Sequence, residues 1–233
     1  SPIILKRLER DFPHLTFRIR NSLDKKEIHR KLQSIDPKLG QILFVDNASI
    51  SPDGDIIEVK DKQGNWRVIL VGEAKHQGND VEKIRNGELQ GKNKDQDLMA
   101  AGNAIERVHK NILEIRNFML EEDHFPYVVF LQGSNFSTET FFVKRPDGRE
   151  VKIAHDSGLL NRIDRVTASS FGMKINQNHC KNIFVKCGKR ELMLQVPSLY
   201  FQSFRWTFPA MLTIMLDVAS TSLEVLSGSI PQN

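Results

Sequence analysis

The run Val68-Ile69-Leu70-Val71 constrains this chain more than any other feature. Four apolar residues in a row, three of them β-branched, suit a strand. A strand with one wet face alternates apolar and polar residues, so this one is predicted to be buried on both faces. Each side of its sheet then needs a cover. Ile105, Val108, Ile112, Ile115 and Met119 recur at alternating spacings of three and four, which predicts an amphipathic helix for that role. Strand and helix patterns alternate along the chain. The predicted class is α/β, a mixed central β-sheet flanked by helices.

Residues 5–10 and 25–32 read as short polar helices, and 42–45 as a strand. Residues 56–60 and 66–71 form a hairpin around the loop Asp61-Lys62-Gln63-Gly64-Asn65. Residues 84–97 are rich in Gly, Asn, Lys and Asp, without clear periodicity, and read as an exposed loop. A strand follows at 127–131, then a hairpin from 141–144 and 151–153 around Pro146-Asp147-Gly148. Residues 158–167 look helical, 192–196 extended, and 211–218 like a late core helix. No repeat or linker interrupts this order, so residues 1–233 are expected to form one domain.

Two cysteines, Cys180 and Cys187, make no disulfide framework and fit reduced thiols in a bacterial cytoplasm. No signal peptide opens the chain, and its start at Ser1 suggests trimming. No apolar run approaches the ~20 residues that span a bilayer, so no membrane partner is expected. A net charge of +4 and a pI near 9.0 permit nucleic-acid binding without requiring it.

The chemistry concentrates in residues 51–77. Ser51-Pro52-Asp53-Gly54 is a turn leading into the hairpin, and Glu73-Ala74-Lys75 closes its second strand. Residues i and i+2 of a strand share a face, so Glu73 and Lys75 point together and Ala74 points away. The hairpin can return Asp53 to Glu73. Two carboxylates suit Mg²⁺, with the Ala74 carbonyl as a further ligand. Lys75 can hold an attacking water and stabilise charge on a phosphate. Acid-any-Lys is common by chance, and Glu114-Ile115-Arg116 is a near-miss on the helix. The plainer alternative is a solvated strand end with a surface ion pair.

Residues 97–121 offer a surface for DNA. Asn103-Ala104-Ile105-Glu106 has the form of a capping box, after the small segment Met99-Ala100-Ala101-Gly102. Asn103 is suited to adenine, and Arg107 to bases or phosphates. An ordinary helix start, with Glu106 and Arg107 on the wet face, is the alternative. Arg162 and Arg165 lie three apart on one helical face and could grip phosphates or guanines, or pair with Asp164.

Several segments resemble the EcoRI family of type II restriction endonucleases, built on the PD-(D/E)xK nuclease core. They are Ser51-Pro52-Asp53-Gly54, residues 71–78, residues 95–107, His124-Phe125-Pro126-Tyr127, Gly133-Ser134-Asn135-Phe136, residues 145–149 and residues 160–165. The resemblance runs in order from about residue 12 to 226. It implies catalysis by Asp53, Glu73 and Lys75. It implies DNA recognition by Met99, Ala100, Gly102, Asn103, Ala104, Glu106, Arg107, Arg162 and Arg165. It further implies a homodimer that cuts the palindrome G-A-A-T-T-C with Mg²⁺, and a cognate DNA methyltransferase in the same cell. Ser51 stands where the family carries a basic residue, the N-terminal segment is shorter, and residues 201–209 differ in length and are more aromatic.

Two other functions compete: a repair nuclease on the same core, and a sequence-specific DNA-binding protein that does not cut. No P-loop pattern is present, so a P-loop enzyme is not supported.

Overall fold

The structure is a computed structural model that describes residues 2–40, 47–88, 102–137, 139–153, 183–187, 190–194 and 197–232. In chain order the described elements are α1 (Pro2–Asp11), β1 (Phe17–Arg20), β2 (Leu23–Asp24), α2 (Lys25–Ile35), β3 (Ser49–Ile50), β4 (Ile56–Lys60), β5 (Trp66–His76) and α3 (Asp80–Arg85). There follow α4 (Gly102–Phe118), β6 (Tyr127–Gln132), β7 (Phe141–Lys144), β8 (Glu150–Ile153), β9 (Ile183–Cys187), β10 (Arg190–Leu194), β11 (Ser198–Gln202) and α5 (Phe208–Val225).

Five strands form the central sheet in the order β1-β4-β5-β6-β11. The β1–β4 and β4–β5 pairs are antiparallel, whereas β5–β6 and β6–β11 are parallel. The sheet is therefore mixed, as expected, with the long strand β5 at its centre. Val68 and Val71 pack toward α2 and α4 with Ile105, Val108, Ile112 and Ile115. Ile69 and Leu70 pack toward α1 and α5 with Ile4, Leu8, Val218 and Leu223. Both faces are covered, which is why the run needs no polar residue.

That partition departs from simple alternation. Ile57 pairs with Leu70 and Glu58 with Val68, so Ile69 is an extra residue in β5. This β-bulge places Ile69 and Leu70 on the same face. It also resets the phase of the strand beyond it. Val71 lies on the α4 face, and Glu73 and Lys75 follow it there at period two.

Some sequence expectations need correction. Strand β5 continues past Val71 to His76, because parallel pairing with β6 supplies partners for that stretch. Ile84 is fully buried at the end of α3, so the exposed loop expected over 84–97 does not start there, and residues 89–97 lie outside the described residues. Helix α4 is already formed at Gly102, which puts Asn103 within its first turn rather than at its cap. Helix α5 spans 18 residues and so runs beyond the core helix expected at 211–218 in both directions. Its inner face, with Val218, Ala219 and Leu223, packs on the sheet. Strands β1, β9 and β11 were not expected. The strand expected at 42–45 and the helix at 158–167 lie outside the described residues.

Candidate active site

The β3–β4 connection carries Asp53 onto the edge of β5 through two glycines. Gly54 N–H donates to the Gly72 carbonyl at 2.9 Å, and Gly72 N–H donates to the Asp55 carbonyl at 3.2 Å. A Cβ on Gly54 would lie 2.9 Å from Gly72 Cα. Only two backbones without side chains can approach this closely. The turn is thus fixed one residue before Glu73.

The hairpin then assembles what the residue spacing predicted. Lys75 Nζ contacts Asp53 Oδ2 and lies 2.5 Å from Glu73 Oε1. Two carboxylates converge on one ammonium. Their surroundings differ sharply: the Glu73 side chain is fully buried, whereas that of Asp53 is 47% exposed. Burying a carboxylate is costly unless it is paired and hydrogen-bonded. Glu73 Oε2 accepts from Tyr127 Oη at 3.0 Å and from Asn111 Nδ2 at 3.2 Å. Oε1 has the ammonium as its neighbour and no other hydrogen-bond partner among the described residues.

The electrostatics follow. Burial pulls the Lys75 pKa down, but its contacts with Asp53 and Glu73 outweigh that and hold it above the ordinary lysine value. Lys75 is a cation at neutral pH. Burial also pushes the Tyr127 hydroxyl well above the usual tyrosine range, and the Glu73 charge adds to the effect. Tyr127 therefore stays a neutral donor.

The donor set fits a hard cation. Asp53 and Glu73 offer carboxylate oxygens, Glu73 Oε1 is buried and underused, and the exposed Ala74 lies between Glu73 and Lys75 on the strand. Among the described residues no group of three or more His, Cys, Asp or Glu side chains forms a metal cage. Two carboxylates with room for water suit Mg²⁺ better than a fully protein-ligated ion.

Tyr127 and Asn111 escaped the sequence analysis. A signal existed for Tyr127, whose hydroxyl tips an otherwise apolar strand and needs a partner when buried. Asn111 had none, because it follows from how α4 lies across β5. The near-miss Glu114 is structural and pairs with Lys25 at 2.5 Å.

The recognition candidates are partly visible. Gly102, Asn103 and Ala104 form the first turn of α4. Glu106 and Arg107 are exposed and form no ion pair among the described residues. Met99, Ala100, Arg162 and Arg165 lie outside the described residues. A cleft of about 840 Å³ lies at the other end of β5, bordered by Arg18, Arg20, Glu58, Arg67 and Glu122. Glu58 takes Arg18 and Arg20, and Glu122 takes Arg67, so these five charges are paired with one another.

Residues 1–233 match the family model described as "Restriction endonuclease EcoRI". The chain is 65% identical over 230 residues to the type II restriction enzyme RsrI of Cereibacter sphaeroides, covering 99% of this chain and 83% of that protein. It is 57% identical over 228 residues to the type II restriction enzyme EcoRI of Escherichia coli, covering 97% of this chain and 82% of that one.

Proposed function

This chain belongs to the EcoRI family of restriction endonucleases, and from that premise we propose which residues cut, which ion assists and which sequence is read. As a type II restriction enzyme it is a site-specific deoxyribonuclease that acts on double-stranded DNA with a divalent metal ion. The proposed ion is Mg²⁺, with Asp53, Glu73 and the Ala74 carbonyl as ligands. When bound, it supplies Lewis-acid polarisation of a phosphoryl oxygen.

The rest is done by the chain. Glu73 is held at a fixed position by Tyr127 and Asn111. Lys75 orients the attacking water and stabilises negative charge as it grows on the phosphate. Water attacks phosphorus, the bond to the 3′ oxygen breaks, and the products are a 5′-phosphate and a 3′-hydroxyl. The observation that carries this reading is the convergence of Asp53 and a buried, underused Glu73 on Lys75.

The proposed site is G-A-A-T-T-C. It would be read by residues 99–107, with Met99, Ala100, Gly102, Asn103, Ala104, Glu106 and Arg107 as contacts, and by Arg162 and Arg165. The exposed, unpaired Glu106 and Arg107 at the start of α4 support this. A palindrome suits a two-fold homodimer. Residues 1–233 act as one domain in the bacterial cytoplasm, where a cognate methyltransferase protects host DNA.

Digestion of a plasmid with Mg²⁺, followed by sequencing of the fragment ends, tests the whole reading. Discrete fragments ending at G-A-A-T-T-C are expected. Glu73→Gln and Lys75→Ala should abolish cleavage and leave DNA binding measurable. Wild-type cleavage by either variant would overturn the assignment, and random nicks would overturn the specificity.

A further inference from the structure

We propose that Arg205 binds a DNA backbone phosphate beside the cleavage site. This rests on the nuclease reading above and adds a contact that the catalytic set does not include.

A groove of about 270 Å³ opens on the catalytic edge of β5. Lys75, His76, Asn79, Gln132, Arg205 and Trp206 border it, and no Asp or Glu side chain lines it. Among the described residues Lys75 and Arg205 are the Lys and Arg side chains on its border. Lys75 is already committed to Asp53 and Glu73. Arg205 is exposed and has no ion-pair partner among the described residues. An unpaired guanidinium at a solvent-open groove matches a phosphate, which it can meet with two parallel N–H bonds.

The loop that carries Arg205 is anchored, so the guanidinium is presented from a fixed base. Trp206 Nε1–H donates to the Leu131 carbonyl at 3.0 Å, and Leu131 is the β6 residue opposite Lys75. The Trp206 backbone N–H donates to Gln132 Oε1 at 2.7 Å. Gln132 Nε2 in turn donates to Asn79 Oδ1 at 2.8 Å. The Trp206 ring meets Phe130 edge-on at 5.3 Å. Arg205 is thus one peptide from a residue tied on two sides to the strand beside the candidate catalytic lysine. His76 adds a second polar group: its Nδ1 accepts from Gly78 N–H at 3.1 Å, which leaves the proton on Nε2.

The substrate explains the geometry better than a free anion does. A DNA strand brings a phosphate at every nucleotide, so seating one against Lys75 brings its neighbours along the same edge. A contact next to the scissile phosphate fixes the register of the backbone and carries no sequence information.

The test is equilibrium binding of a duplex containing G-A-A-T-T-C, and of one lacking it, across a salt series without divalent metal. One lost phosphate contact should make the slope of log K against log salt shallower by roughly 0.9 and weaken binding about tenfold at low salt. Arg205→Ala should show both changes on both duplexes. Arg205→Lys should keep the slope, because the charge remains. An unchanged slope in Arg205→Ala overturns the proposal while leaving the nuclease reading intact. Weakening on the G-A-A-T-T-C duplex alone also overturns it, since that result belongs to a base contact. A wild type that neither binds nor cuts DNA removes the nuclease reading, and this contact with it.

Discussion

Gly54 and Gly72 touch backbone to backbone, with Gly54 N–H donating to the Gly72 carbonyl at 2.9 Å. This contact places Asp53 beside Glu73, although the two are twenty positions apart in sequence. A Cβ on Gly54 would meet Gly72 Cα at 2.9 Å and its carbonyl carbon at 3.0 Å, both rigid backbone. A Cβ on Gly72 would first meet the movable end of Met215 at 2.8 Å, then Gly54 Cα at 3.2 Å. Gly54→Ala should therefore do more damage than Gly72→Ala. Overpacking of this kind costs about 1–3 kcal/mol of stability. A displacement of Asp53 by about 1 Å can cost roughly 100-fold in rate. Single-turnover cleavage and thermal unfolding of both variants check this; equal rates would remove the positioning role.

The second prediction concerns the two donors on Glu73 Oε2. Tyr127→Phe removes a hydrogen bond to a buried carboxylate, a contact worth about 1.5–3 kcal/mol. Asn111→Ala removes the other, longer bond. Both variants should cut more slowly at saturating DNA, Tyr127→Phe by at least about tenfold. Because both act through one oxygen, the double variant should deviate from additivity. A purely additive result would mean that the two donors do not cooperate in holding Glu73.

Much of this site was legible because strand geometry is short-range. The i, i+2 spacing of Glu73 and Lys75 places both on one face whatever the tertiary fold. The four-residue apolar run announced a sheet covered on both sides. Which face the pair would occupy was not legible, since that depends on the bulge at Ile69, and a bulge is set by cross-strand register. Tyr127 and Asn111 were missed for the same reason. Their role arises from β6 and α4 lying against β5, a relation between segments distant in sequence. Strand β1 was missed because Phe17-Arg18-Ile19-Arg20 is short, and its two arginines pair with Glu58 across the strand boundary.

The third prediction is a pH dependence at both ends. Burial holds the His124 imidazole below its ordinary value of 6.5, and its ring nitrogen contacts the Val68 carbonyl at 2.8 Å. A histidine whose folded pKa is depressed contributes stability above the unfolded value and loses it as pH falls. The protein should lose stability as pH drops below about 6.5, and His124→Gln should flatten that limb. Tyr127 has the opposite sign. Its folded pKa is raised above 10.0, so its contribution is present below that value and fades as pH rises past it. Tyr127→Phe should flatten the alkaline limb. Denaturant midpoints measured from about pH 4 to pH 11 distinguish the variants, and limbs parallel to wild type would refute these assignments.

The last prediction returns to the bulge. Ile69 has no partner residue in the β4–β5 ladder, and its carbonyl is met from the far side of the sheet. Ser222 Oγ, fully buried on α5, lies 2.7 Å from it and 2.9 Å from the Val218 carbonyl one turn back, so the two carbonyls share its proton. This explains a hydroxyl on the inner face of an apolar helix. Ser222→Ala removes this hydrogen bond at a cost of about 0.5–1.5 kcal/mol. In a chain of this size that lowers the melting temperature by roughly 2–4 °C per kcal/mol. Cleavage at room temperature should survive, because Ile69 and Leu70 remain packed against α1 and α5 and keep the strand in phase. Ser222→Thr restores the hydroxyl and should recover most of the loss. If Ser222→Ala melts like wild type, the hydroxyl does not hold the bulge. If it folds stably but cannot cut, the strand has slipped, and Glu73 and Lys75 have turned to the wrong face, since a one-residue shift moves every side chain across the sheet.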